Sequence, residues 1–176
     1  IYRETISSIR SAVGSNLIIQ VTTEAVGLYE PDQQMALIRE IKPEAASVAI
    51  REIVTIDNEL ALAKFFSWCA ETEILLQYIV YTREDIKQFM LLKKSGLIPE
   101  PRPSILFVLG KNAEVLSQGK DLLPILAQLD GDENYIWSVS VFGRTECVCC
   151  VAAATLGGHV RVGFENNLHL NDGTTA

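Results

Sequence analysis

The chain has no long apolar run, no cluster of basic residues and very few histidines, and each shortage removes a class of function. Its apolar runs are short and interrupted, so no segment is predicted to span a bilayer. Acidic residues outnumber basic ones by 22 to 15, for a formal net charge of −7. A nucleic-acid surface would need the basic stripe that is missing, so no nucleic-acid partner is expected. His159 and His169 are the only two histidines. His159 opens a predicted strand and reads as a packed structural residue; His169 falls in the loop beyond it and reads as exposed. GxSxG, P-loop and GxGxxG motifs are absent. The opening IYRETISSIRSAV has helical spacing and mixed charge, unlike a signal peptide. Cysteine is scarce too: of four, three sit in ECVCC, Cys147, Cys149 and Cys150. Without a second CxxC or a nearby histidine pair this is no zinc knuckle. It reads as a helix setting small apolar residues against a core, and Cys69 reads the same way. A reduced, cytoplasmic protein is expected.

What is present is core material. Of the 176 residues 48% are apolar, with mean hydropathy +0.20, enough for one packed domain and too little for two typical ones. A single domain over residues 1–176 is therefore expected. Helix and strand patterns alternate along it. Residues 2–13 read as a helix, NLIIQVTT as a strand, PDQQMALIREI as a helix with Pro31 in its first turn, and AASVAI as a strand. LALAKFFSWCAETE, REDIKQFMLLKKSG, KDLLPILAQL and TECVCCVAAATLGG read as further helices. LQYIVYT, PSILFVLG, YIWSVSVFG and HVRVGFEN read as the strands between and after them. Near-continuous apolar strands, nearly all followed by helices, predict a parallel sheet covered by helices, so the class is α/β.

The side chains of GGHVRVGFENN (157–167) bear on the architecture. Alternate residues of a strand face opposite sides. Val160, Val162 and Phe164 share one face; His159, Arg161, Gly163 and Glu165 share the other. YIWSVSVFG repeats the pattern, with Ser138 and Ser140 opposite Trp137, Val139 and Val141, and NLIIQVTT sets Gln20 and Thr22 opposite Ile19 and Val21. Strands that carry polar residues on one face favour a barrel, whose inner face builds a site at the carboxyl ends. A full (β/α)₈ barrel takes about 250 residues, so the chain reads as six-eighths of one, a partial TIM barrel.

Glu165 then lies at the mouth, where a carboxylate serves as metal ligand or base, with Arg161 on the same face about 13 Å away along the strand. An interior charge network that only fills the barrel is the alternative. Asn166 and Asn167 continue the polar cluster into the loop. Thr22, Thr23 and Glu24 end one strand and Ser47 lies in or near the end of the next. Such hydroxyls bind a substrate carboxylate, or equally cap a helix or satisfy loop amides. Arg144, just past Gly143, is placed to meet an anion at the late loops of a barrel, or to be a solvated arginine.

The run GRTECVCCVAAATLGGHVRVGFENN resembles the late part of the beta-keto acid cleavage enzyme family. IIQVTTEAVG resembles that family's third strand, AASVAI its fourth and ILFVLG its sixth. The resemblance implies a (β/α)₈ TIM barrel of which this chain holds strands three to eight. It also implies one zinc ion and a retro-Claisen reaction: a beta-keto acid and acetyl-CoA, its co-substrate, give acetoacetate and a new acyl-CoA, a transferase activity. Family zinc is held by a glutamate on the eighth strand, matched by Glu165, and by two histidines of an HxH motif on the second, which this chain lacks. The segment alone is therefore expected to be inactive.

Arg161 matches the family arginine that supports the catalytic acid/base. That group is often an aspartate, and the matching Asn166 carries an amide that cannot accept a proton as a carboxylate does. Thr23 and Ser47 match hydroxyls that hold the substrate carboxylate; Thr22, Arg144 and Asn167 complete the expected substrate contacts. In place of an acidic residue on the fifth strand LQYIVYT offers Gln77 and Tyr78, which implies a substrate without an amino group. A homo-oligomer with no membrane partner is expected.

Overall fold

A computed structural model describes residues 2–111, 116–129, 134–170 and 172–175. Its helices are α1 (Tyr2–Val13), α2 (Pro31–Ile41), α3 (Ile50–Ile53), α4 (Glu59–Glu71), α5 (Arg83–Lys94), α6 (Leu123–Leu126) and α7 (Glu146–Thr155). Its strands are β1 (Gln20–Thr22), β2 (Ala45–Ala49), β3 (Leu75–Val80), β4 (Ser104–Leu109), β5 (Ile136–Val141) and β6 (His159–Arg161). The sheet runs in chain order, β1-β2-β3-β4-β5-β6. The pairs β1–β2, β4–β5 and β5–β6 are parallel. The class is α/β. Order without a reversal leaves no switch point, the feature that defines a doubly wound sheet.

The chain divides into two compact units, Ile1–Tyr78 with Leu92–Glu100 and Ile79–Leu91 with Pro101–Ala176. In the first, α2 starts on Pro31 with a reciprocal cap between Glu30 and Gln33, and stops at Lys42 in the left-handed region. It buries Met35 and Ile38, three residues apart on one stripe. Leu62, Phe65, Phe66 and Cys69 do the same for α4. Phe66 meets Tyr78 edge-to-face at 5.5 Å, while the Arg39 guanidinium lies over Phe65 at 5.5 Å.

β1 is shorter than NLIIQVTT suggests. The Ile19 amide donates to Glu44 Oε2 at 2.8 Å, and Arg10 holds that same carboxylate. A side chain thus takes a donor that a longer ladder would have used, and Leu17 and Ile18 stay exposed. Within β1 the expected alternation is present, Val21 buried between exposed Gln20 and Thr22. AASVAI ends one residue early, because Ile50 opens the single turn of α3.

The second unit packs Phe107 against Trp137 and Phe89 against Tyr135, both at 6.1 Å. KDLLPILAQL is not one helix: α6 is flanked by 3₁₀ turns at Gly119–Leu122 and Ala127–Leu129. Pro124 has no N–H to donate and so fits only a first helical turn. α7 buries Cys149, Cys150 and Ala153, leaving Cys147 exposed. Small residues let it approach closely: a Cβ on Gly119 would stand 2.8 Å from that of Ala152. β5 is buried on both faces from Ser138 to Val141. On β6, Val160, and beyond it Val162 and Phe164, are exposed, so the face assigned to covering helices is bare.

Gly158, which leads into β6, has no room for a side chain, because a Cβ there would overlap the Trp137 ring. Gly158→Ala should destabilise the protein by about 1–3 kcal/mol, the cost of overpacking a closed site. Urea unfolding measures it, and wild-type stability in the variant would mean that the ring turns aside freely.

Candidate functional site

In the second unit the candidate residues gather where β5 and β6 end. β6 pairs Arg161 with Ser140 of β5. The chain then leaves extended geometry: Gly163 sits at φ +147°, a backbone region that side chains disfavour. Its carbonyl accepts the amides of Asn166 at 3.0 Å and Asn167 at 3.2 Å. This turn corrects the expected separation of Arg161 and Glu165. Rather than standing four strand residues apart, the two side chains meet in an ion pair. Arg161 is 30% exposed and Glu165 64%, so solvent screens the pair and its net worth is small. Its effect is to fix where the guanidinium and the carboxylate point.

Asn166 is buried, with its carbonyl accepting the Gly143 amide at 3.0 Å. Its side-chain Oδ1 is enclosed without a partner. Asn167 spends its amide on the loop: Nδ2 donates to Glu146 Oε2 at 3.2 Å and to the His169 carbonyl at 2.9 Å, and Oδ1 accepts the His169 amide. Arg144 follows Gly143 and is exposed. His159 and His169 are exposed as well. For His159 this corrects the packed reading, because the face of β6 that it shares with Arg161 is open.

In the first unit Thr22 ends β1 in register with Ser47 of β2. Thr22 Oγ1 accepts the Glu24 amide at 3.1 Å, which leaves its O–H able to donate. Thr23 is buried, and both its amide and its hydroxyl donate to the Ser47 carbonyl at 3.1 Å. It therefore extends the β1–β2 ladder by one side-chain bond. Ser47 is buried in mid-strand. Glu52, singled out by no sequence pattern, accepts the Ala25 amide at 2.9 Å and closes the loop after Thr23.

The described residues include no group of three or more His, Cys, Asp or Glu side chains that could hold a metal. Zinc takes at least three protein ligands. Glu165, already paired with Arg161, supplies one, so these residues do not by themselves fit a zinc site.

A second polar cluster, between β3 and the segment that follows α5, was missed in the sequence. The buried Tyr78 phenol donates to both carboxylate oxygens of Glu100 at 3.1 Å. Burial raises the Glu100 carboxyl above its ordinary range, with the Tyr78 bond and Lys93 offsetting part of the rise. Burial, reinforced by Glu100, likewise holds the Tyr78 phenol well up. Burial pushes the neighbouring Cys69 thiol up to about 12 and the Cys150 thiol of α7 up to about 11. Both stay protonated and act as packing groups rather than nucleophiles. Tyr78 thus replaces no substrate-binding acid; it is locked against α4 by Phe66.

The family model for the beta-keto acid cleavage enzyme matches residues 1–176, the whole chain. The chain belongs to the beta-keto acid cleavage enzyme family. Among similar proteins, the 3-keto-5-aminohexanoate cleavage enzyme of Acetoanaerobium sticklandii is 24% identical over 181 residues, covering 99% of this chain and 64% of that enzyme. The enzyme of the same name from Fusobacterium nucleatum is 26% identical, with the same two coverages. This family member therefore spans a little under two-thirds of the length of those relatives. The turn after β6, with its Arg161–Glu165 pair, is the part of the chain where the family resemblance in sequence and a charged constellation in space coincide.

The Glu100 cluster makes a pH prediction. A carboxyl raised in the folded state stabilises the fold below its ordinary value, and that contribution is lost as pH rises through the raised one. Glu100→Gln, which keeps an acceptor for Tyr78, should remove this decline. Urea unfolding of both proteins across the weakly acidic range reads it; parallel pH profiles would refute it.

Proposed function

We propose that this chain is part of a carbon–carbon-cleaving acyltransferase that converts a beta-keto acid and acetyl-CoA into acetoacetate and a new acyl-CoA. The observation that supports it most directly is the turn at Gly163, which sets the Glu165 carboxylate against Arg161 at the carboxyl end of β6. Sequential strand order supports a (β/α)₈ barrel as the frame of the full protein. A cytoplasmic homo-oligomer belongs to the same reading; no helix among the described residues is long and apolar enough to cross a membrane.

In this reading Arg161 offsets the negative charge that develops on the keto oxygen as the bond breaks, a role for a permanent cation held in place beforehand. In the first unit the O–H of Thr22 is the group that would receive a substrate carboxylate, with Thr23 bonded to the Ser47 carbonyl beside it. Arg144, exposed past the end of β5, meets an anionic part of acetyl-CoA. Asn166 and Asn167 shape the turn rather than exchange protons, since an amide is no base at neutral pH. Glu165 would be one ligand of a zinc ion; the described residues do not complete the set, and no step here depends on the metal.

Incubating the full-length protein with acetyl-CoA and a panel of beta-keto acids should give acetoacetate and the matching acyl-CoA, read by mass spectrometry. Arg161→Ala should lower kcat/KM by about 10²–10³-fold, the usual cost of losing one preorganised charge partner. Acetyl-CoA left untouched by every acid in the panel would reject the reaction. An aldol-type cleavage that needs no acetyl-CoA would point instead to a different barrel enzyme.

A further inference from the structure

Among the described residues, a group of buried side-chain oxygens without a hydrogen-bond partner falls in one short region: Ser140 Oγ, Thr145 Oγ1, Glu146 Oε1 and Asn166 Oδ1. All four lie at the end of β5, in the turn that starts α7, or in the turn after β6. Those two turns are bonded to each other twice, through the Gly143 amide to the Asn166 carbonyl at 3.0 Å and through Asn167 Nδ2 to Glu146 Oε2 at 3.2 Å. The Glu146 amide also donates to the Gly143 carbonyl at 3.0 Å, so the carboxylate stands on the same turn that holds Asn166. An enclosed acceptor without a donor is costly, and a region with several of them persists when something else requires their placement.

We propose that Glu146 is the positioning residue of the turn after β6, its carboxylate holding the Asn167 amide so that the turn presents Glu165 to Arg161. Asn167 is where this turn re-enters extended chain. Its side chain has three bonds, and two of them are local, to His169. The bond to Glu146 is the one that ties it to another element. Glu146 in turn is fixed as the first residue of α7, where a negative charge suits the helix dipole. Without this bond the turn keeps its Gly163 geometry but loses a side-chain tether to the scaffold. The role needs an acceptor at position 146 and not a charge. The neutral isostere should be tolerated well, because its N–H groups enter a region rich in unpartnered acceptors.

The kinetic part of the test rests on the cleavage reading; the spectroscopic part does not. In the full-length protein, Glu146→Ala should lower kcat by about tenfold to 10²-fold, with KM within about threefold, the mark of misplaced rather than missing contacts. Glu146→Gln should restore kcat to within about threefold of wild type and melt at or above the wild-type temperature. Asn167→Ala removes this bond together with the two to His169 and should be at least as impaired as Glu146→Ala, with the double variant no worse than Asn167→Ala. By NMR, both Asn167 side-chain amide hydrogens should be protected from exchange in wild type and Glu146→Gln, whereas Glu146→Ala should expose the one that Glu146 holds and leave the one bonded to His169. Glu146→Gln as impaired as Glu146→Ala would overturn the proposal by showing that charge is what matters. So would a Glu146→Ala protein that keeps both kcat and the protection of both amide hydrogens. An inactive wild type whose Glu146-held hydrogen loses protection in Glu146→Ala would sink the cleavage reading and leave the positioning role standing.

Discussion

An arginine and a glutamate four residues apart can touch only if the chain between them stops being a strand. Extended backbone would hold their side chains on one face but well apart, since each residue advances the chain by about 3.3 Å. The turn at Gly163 cancels that advance and returns Glu165 to Arg161. Much of what the second unit offers as a site follows from this. The turn carries Asn166 inward, where its carbonyl meets Gly143, and delivers Asn167 to Glu146. A continued strand would have pointed Asn166 and Asn167 to opposite faces and left the start of α7 unattached.

That constraint also sorts the two polar clusters. Perturbed titration behaviour is often used to find active sites, and that measure picks out Glu100 with Tyr78. Geometry decides otherwise. Tyr78 is fully buried and clamped by Phe66, its hydroxyl engaged with both Glu100 oxygens, so no substrate atom can replace that contact without unpacking α4. Arg161 and Glu165 remain partly open to solvent at a strand end. A strongly shifted group whose partners are all structural reports burial. A partly open pair that a substrate can reach is the better candidate for chemistry.

The repeating part of the fold was legible in the residues because burial on a sheet has a period of two and burial on a helix has one near 3.6. α4 follows its period with Leu62, Phe65, Phe66 and Cys69, and the bounds of α4 and β5 fall close to where the pattern sets them. Departures come where a single group overrides the period. Glu44 takes the Ile19 amide and shortens β1; Pro124 breaks KDLLPILAQL into short turns; Gly163 ends a segment whose apolar–polar alternation continues through Phe164 and Glu165. Of these only Pro124 and Gly163 leave a mark in the sequence. The capture of a strand amide by a carboxylate 25 residues away is a tertiary event, and no local pattern announces it.

The candidate site divides along the same line. Which residues to consider was readable, because charged and hydroxyl side chains at the ends of apolar strands are conspicuous. What each does was not, because roles depend on which hydrogen bonds are already spent. Thr23 was a plausible carboxylate binder until its hydroxyl proved to be donating to Ser47. Asn167 was another, until its amide proved to be divided between Glu146 and His169. Thr22, by accepting rather than donating, keeps its hydrogen free. A residue that is already satisfied holds a site in shape, while one with a free donor or a screened charge is left to meet the substrate. By that criterion Thr22 in the first unit, and Arg161 and Arg144 in the second, are the groups left open to a ligand, while Thr23 in the first and Asn167 in the second are spent on the fold.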